Sequence, residues 1–479
     1  MLEPDKHTFD FIEKLQKGDH FYKLGTTIPG VVFDSANFRS IDNGNYELSF
    51  TIESESKNEQ FDLDYFFQQP CILATKEGMS ILIQNSDITT GKQSIAEDKP
   101  INFNVEVKAF KGDVDETLWE QSYQRAYFRY DRNKFQPYKS GICFDLKTGS
   151  KDNGFYNAVK LYVDNIELLF YHESVTPQFG YYIFRPNAII DFEKFQHIIE
   201  CVIAAYGFLN GDYFIDRAYY FSNKSINGRN KITYRYENSK RQVKTNSPII
   251  DSGHYENIPI ENLQLTSSQF NSLVNLLYKN EEYFRSSLLL INAGNLKGCA
   301  KASLATVALE TISSKIGAKL STKKIIEDKK IINGLRYKLN KTLKSFSDRI
   351  TKEQSETLLA KLNQINSKPN RNKLEDAFQL IGVTLDEEEK ECISYRNLFL
   401  HGSLPRKDEE MWMTDAELLD IVANRLVMLS SILLLKQTGY NGMVIDKGMT
   451  EVVKWRMIKS FQKVRGGNYL RSIAASNLE

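Results

Sequence analysis

The chain has 479 residues, 41% apolar and 26% charged, which is the composition of a globular protein long enough for two or more domains. Net charge is +1, but residues 1–260 hold 29 Lys/Arg against 36 Asp/Glu (−7) while residues 261–479 hold 33 against 25 (+8), so the second half is the one suited to a polyanion. Five scattered cysteines without zinc spacing, an acid-bearing N-terminus without an apolar signal region, and a longest apolar stretch (around Leu426 to Leu435) too short for a bilayer point to reduced thiols, no metal, no cofactor, no membrane contact and a cytoplasmic location.

The expected fold class is α+β: a β-rich N-terminal half with at least one packed helix, then an all-α helical bundle. In the first half, a strand follows the turn at Asn43-Gly44. Ile101, Phe103, Val105 and Val107 alternate with polar residues at a period of two. Val159, Leu161 and Val163 alternate up to Asp164-Asn165, and Ile166, Leu168 and Phe170 alternate away from it, which reads as a two-residue hairpin. One helix is expected from Asp191 to Tyr206, ending at Gly207. The abundant Tyr and Phe suit half-buried pleated surfaces.

The regions expected are a β-rich sensor or regulatory region over 1–255, a helical domain over 265–440 and a basic extension over 441–479. After Thr266 the period becomes helical. Helices are expected around Phe270 to Leu277, from Glu281 to Ala293, and along Leu304, Val307, Ala308 and Ile312 as one buried face. Lys323 to Lys344 mixes basic and apolar residues, with a break expected at Gly334. Leu358, Leu359 and Leu362 mark another helix, and Leu418 to Leu435 the last long one. The tail carries Lys447, Lys454, Arg456, Lys459, Lys463, Arg465 and Arg471. It reads either as an amphipathic helix on its own domain or as a helix touching RNA.

Thr384-Leu385-Asp386-Glu387 has the form of a capping box opening a helix over Leu385 to about Leu400, with Gly402 and Pro405 as stop signals. At the helix end stand Arg396, Asn397 and His401. Arginine offers a fixed planar charge for a phosphate, and histidine exchanges protons near neutral pH. In a regular helix Asn397 and His401 lie about 40° apart and Arg396 and His401 about 140° apart. A shared cleft therefore needs a loosened last turn or a second copy of the helix across a twofold axis. The plain alternative is a salt-bridged arginine and a histidine capping a helix end. P-loop and Gly-x-Ser-x-Gly motifs are absent, and His20, His172, His197 and His254 lack partners at ligand spacing.

Arg396-Asn397-x3-His401-Gly402, late in an all-α region, resembles the Arg-x4–6-His motif of the HEPN superfamily, and Ala308-Leu309-Glu310-Thr311-Ile312 resembles the earlier family helix that carries a glutamate. The likeness covers about 265–440. The β-rich half followed by this region, with Ala205-Tyr206-Gly207-Phe208-Leu209-Asn210-Gly211, resembles ApeA-type anti-phage defence proteins. The resemblance implies a homodimeric, metal-independent endoribonuclease that acts on RNA, transfer RNA among the substrates, and that answers a phage-derived trigger. It assigns proton transfer to His401, phosphate contact to Arg396 and a supporting role to Asn397. Glu310 would orient Arg396, Tyr395 would line the cleft, and Arg406 and Lys407 would hold flanking phosphates. Two other readings stay open. One is a non-catalytic nucleic-acid or ligand-binding dimer built on the helical half. The other is an activity on a glycan or nucleotide in the β-rich half, with aromatics as stacking surfaces.

Overall fold

The computed structural model describes residues 6–18, 22–25, 31–54, 71–75, 80–94, 101–112, 117, 119–120, 122–131, 141–148, 155–215, 217–226, 229–239, 242–244, 248–250, 258–318, 325–363, 365–366, 370–400, 414–449 and 469–474. The fold is α+β, with strands dominating the first half and helices the second. Two compact units divide the chain, Met1–Phe284 and Arg285–Glu479.

The first unit opens with helix α1 (Lys6–Lys17), which the sequence reading missed. Phe9, Ile12 and Leu15 recur at helical spacing and are buried. The strands that follow are β1 (Tyr22–Gly25), β2 (Val31–Ser40), β3 (Tyr46–Ser54), β4 (Cys71–Thr75), β5 (Ser80–Ile83), β6 (Ile88–Ser94), β7 (Ile101–Val107), β8 (Ala109–Gly112), β9 (Tyr123–Asp131) and β10 (Leu146–Thr148). β11 (Phe155–Val163), β12 (Ile166–Ser174) and β13 (Phe179–Pro186) form a meander. After helix α2 (Phe192–Asn210) come β14 (Asp212–Phe214), β15 (Ala218–Ile226), β16 (Arg229–Glu237) and β17 (Gln242–Lys244). Helix α3 (Ser267–Lys279) closes the unit, and helix α4 (Glu281–Ala293) contains the division.

Among the described residues one antiparallel sheet of fifteen strands runs in the order β10-β11-β12-β13-β9-β15-β16-β8-β5-β4-β1-β2-β3-β7-β6, and β14 pairs separately with β17. The expected hairpin is present: Asp164 and Asn165 take φ of 48° and 65°, the left-handed pair that a two-residue turn requires. Strands β3 and β15 lie far apart in the sheet order, yet the hydroxyls of Tyr46 and Tyr219 meet at 2.9 Å. The sheet therefore curls over itself around an aromatic core. Phe38, Tyr46, Phe110 and Tyr236 stack or meet edge to face there, and α1 inserts Phe9 against Tyr127 and Tyr181. The Gln16 amide donates to Tyr219 at 2.9 Å, a second partner for a buried hydroxyl that already meets Tyr46.

Helix α2 runs three residues past its expected end at Gly207. Phe208 and Leu209 are buried, so the apolar face continues, and Gly211 at φ 71° is the left-handed stop. The unit boundary falls later than the expected 255–265, because α3 packs on β11 and α2. Asn271 accepts from the Tyr162 amide at 2.7 Å and Asn275 donates to the Tyr162 carbonyl at 2.7 Å, so α3 satisfies strand-edge backbone.

The second unit contains α5 (Gly298–Gly317), α6 (Lys329–Lys344), α7 (Lys352–Asn363), α8 (Asn370–Leu380), α9 (Glu387–Leu400) and α10 (Asp415–Lys436), then a ribbon of β18 (Met443–Asp446) with β19 (Tyr469–Ser472). Helices α5, α8, α9 and α10 pack together. Helix α10 is long and apolar enough to cross a membrane, but it is mostly buried as the core of this unit. Its Thr414–Glu417 capping box starts it cleanly.

Several expectations change. Ala308 and Ile312 are buried as expected, but Val307 is exposed, and the buried face of α5 is completed by Ala302, Ala305, Leu309 and Ile316, its alanines letting α10 approach closely. Gly334 does not break α6, since one interior glycine costs only about 1 kcal/mol and the Asp328 cap holds the start. Helix α7 buries none of its side chains. Helix α8, not foreseen, is set by Leu374, Ala377 and Phe378 on one face. The described part of the 441–479 extension is a strand ribbon, and residues 450–468 lie outside the described residues.

All five cysteines are free thiols. Burial pushes Cys71, Cys201 and Cys392 up to about 12, whereas Cys143 is exposed. Iodoacetamide at pH 8 should therefore label the exposed Cys143 and the part-exposed Cys299 ahead of the other three. Peptide mass spectrometry should find the three buried thiols reacting on the order of a thousandfold more slowly until the chain is unfolded.

Candidate functional site

Helix α9 carries the candidate chemistry at its last turns. It starts differently from expectation. The cap is Asp386 rather than Thr384: Asp386 accepts from the Glu389 amide at 2.7 Å, and Glu389 accepts from the Asp386 amide at 3.0 Å. The Thr384 carbonyl is engaged elsewhere, accepting from Arg471 at 2.7 Å.

Arg471, on β19, also pairs with Glu389 through Nε at 2.8 Å and Nη2 at 3.2 Å, a two-point carboxylate contact. Glu389 is only 2% exposed, so Arg471 offsets the cost of burying a carboxylate. Beside it, Arg425 of α10 donates to Glu388 at 2.6 Å and lies 3.9 Å from Asp446. That second distance is too long for a hydrogen bond, and Arg425 Nε is buried without an acceptor. Burial works against the Arg425 charge, but Asp446, Cys392 and Glu388 hold it above its usual value. Burial likewise raises the Asp446 carboxyl, with Arg425 opposing. Gly448 is required here: a Cβ would sit 2.5 Å from Arg425 Cγ and 2.9 Å from the Ile421 carbonyl oxygen. The sequence reading named Arg471 only as one tail cation. Its partner is 82 residues away, and no local spacing announces the pair.

At the other end of α9, Arg396 has a side chain 2% exposed. Its Nε donates to Glu310 of α5 at 3.1 Å, and its Nη1 donates to the Ile393 carbonyl at 3.1 Å. Two points of the guanidinium fork are thus fixed, and Nη2 has no hydrogen-bond partner among the described residues. Glu310 is 39% exposed, so the pair joins a buried cation to a carboxylate that still meets solvent. The arginine lies beneath the surface rather than in an open groove. Tyr395 points back along the helix, its hydroxyl donating to Glu391 at 2.7 Å.

The structure thus brings Arg396 and Glu310 together, and places Tyr395 beside Glu391. Asn397 belongs to α9, but its side chain lies outside the described residues, as do His401, Gly402, Pro405, Arg406 and Lys407. Of the scattered histidines, His172 packs against Tyr130 and Phe144, and His197 against Tyr278 and Phe284. His20 and His254 lie outside the described residues.

The Arg471–Glu389 contact should be measurable as a coupling. Arg471→Ala strands a buried carboxylate and is expected to cost about 2–3 kcal/mol, between the values for exposed and fully buried pairs. In urea unfolding, Glu389→Ala with Arg471→Ala should lose less than the sum of the two singles, by about 1–2 kcal/mol. Strict additivity would show that the contact carries no stability. Set against known proteins, the chain matches no family model, no curated protein and no solved structure.

Proposed function

We propose that the chain is a metal-independent endoribonuclease of the HEPN kind, acting in the cytoplasm as a homodimeric effector of abortive anti-phage defence and governed by its β-rich region. The observation that carries the reading is the Glu310–Arg396 pair at 3.1 Å, which fixes the motif arginine, five residues before His401 in the sequence. A ribose 2′-oxygen would attack the adjacent phosphorus as its proton leaves to a base, and the 5′-oxygen would depart as it gains a proton. The products are a 2′,3′-cyclic phosphate and a 5′-hydroxyl. His401 supplies proton transfer, with Asn397 holding the imidazole or the substrate. Arg396 meets the developing phosphorane charge through Nη2, the donor that its two fixed contacts leave over. In a dimer the two histidines divide the acid and base roles. Arg406 and Lys407 hold flanking phosphates, and unpaired transfer RNA loops present the 2′-hydroxyl in suitable geometry.

One observation favours the second reading, a non-catalytic dimer that binds nucleic acid or ligand. With its side chain 2% exposed, Arg396 also fits a purely structural ion pair.

End chemistry separates the two. Transfer RNA incubated with the purified chain in EDTA should yield fragments with cyclic phosphate and 5′-hydroxyl ends. His401→Ala should lower cleavage by about 10²- to 10⁴-fold. Expression of the wild-type chain is expected to arrest growth, and Arg396→Ala should abolish that arrest. Absence of cleavage by the wild-type chain would favour the scaffold reading, whereas cleavage unchanged in His401→Ala would overturn His401 as the proton-transfer group.

A further inference from the structure

The first unit holds a groove of about 610 Å³ on the face of the sheet that α1 partly covers. Its volume lies in the range of small-molecule sites. The strand registers explain what lines it. Lys160 opposes Leu169, Leu169 opposes Arg185, and Arg125 opposes Phe221. The Phe184–Ala126 rung ends the β13–β9 pairing, and Arg185 and Arg125 are the next residues on the two strands. One row across five strands, β11 to β15, therefore reads Lys160, Leu169, Arg185, Arg125, Phe221, with strands about 4.8 Å apart. Two residues along, the next row over β9, β15 and β16 reads Tyr123, Asn223, Ile232.

The two rows have distinct chemistry. Arg125 and Arg185 both line the groove, where a phosphate can accept charge-assisted hydrogen bonds from two guanidinium groups. Among the described residues that line the groove Glu167 is the one carboxylate, and Lys160 engages it at 3.1 Å, which offsets its charge. Tyr123 is 53% exposed and Ile232 64% exposed, large apolar groups left open to solvent on either side of Asn223. They stand two strands apart, about 9.6 Å, a gap that admits a flat ring. Asn223 between them offers an amide donor and a carbonyl acceptor to a ring edge. All of this lies in the half whose net charge is −7, so the paired arginines are not part of a general basic surface.

We propose that this groove binds a nucleoside phosphate, with the phosphate between Arg125 and Arg185 and the base between Tyr123 and Ile232 over Asn223. The assignment does not rest on the ribonuclease reading. It places a small-molecule ligand in the region to which the sequence attributes sensing.

Isothermal titration calorimetry on the full chain tests it, with ATP, inorganic phosphate and a single-stranded RNA decamer as separate probes. ATP is expected to bind with a dissociation constant below about 1 mM. Arg185→Ala and Arg125→Ala should each weaken it at least about tenfold, the worth of a charge-assisted hydrogen bond. Tyr123→Ala, at a half-exposed position that leaves the core intact, should weaken ATP at least about fivefold while leaving phosphate unchanged. Arg39→Ala, a surface cation paired with Glu47 outside the lining, should leave ATP binding as it was. Urea midpoints confirm that each variant is folded. The proposal fails if ATP does not bind, if binding ignores Arg185→Ala, if phosphate and ATP bind alike and Tyr123→Ala changes neither, or if only the RNA decamer binds.

Discussion

Helix α9 is tied down at both ends by arginines in low-dielectric surroundings, and the second unit is organised around that constraint. At its start, Glu389 is shared between the Asp386 amide and Arg471, while Glu388 takes Arg425. At its end, Arg396 reaches Glu310. Charges removed from water are tolerated only when paired, so each contact specifies one placement of the helix more than it adds net stability. The partners come from α5, α10 and β19, three segments that must all be in place before the end of α9 is fixed.

This arrangement bears on the proposed chemistry. A guanidinium held at two points has already given up its rotamer freedom, so the remaining donor is oriented before any phosphate arrives. The carboxylate that orients it is partly solvated, which lets the pair persist without the full penalty of a buried ion pair. The same geometry leaves Arg396 covered. Chemistry at this helix end thus turns on what the following residues and a second subunit bring to it.

What the sequence disclosed follows from how local each signal is. The period-two run at 101–107, the Asp164-Asn165 hairpin and the helix from Glu281 to Ala293 depend on neighbours in the chain, and they stand as expected. Local reading misplaced ends and faces. Asp386 outcompetes Thr384 as a cap because a carboxylate is the stronger acceptor, and Val307 turns outward because the close α5–α10 approach selects the alanine face. Helix α1 was hidden by the strand-like aromatics around it, although Phe9, Ile12 and Leu15 carried the spacing. The order of the fifteen strands was beyond reach, since the pairings of β13 with β9 and β16 with β8 join distant stretches. At the candidate site Arg396 and Glu310 could be singled out in the sequence and are found paired, whereas the Arg471–Glu389 tie and the row of cations at Lys160, Arg185 and Arg125 appear only once the chain has folded.

Strand β8 joins the two arms of the curled sheet with few rungs. Among the described residues it meets β5 through Ile81–Gly112 and Leu82–Lys111 alone, and β16 through three residues from Ala109 to Lys111. Every other strand from β10 round to β6 is linked into one arm or the other without crossing this waist. A cooperative sheet opens first where the fewest bonds must break together. The β1–β2 ladder, with the single described rung Tyr22–Ala36, is thinner still, so deuterium should enter at the β8 and β1 joins ahead of the wider ladders, and the stretches of sheet between them would behave as separate foldons.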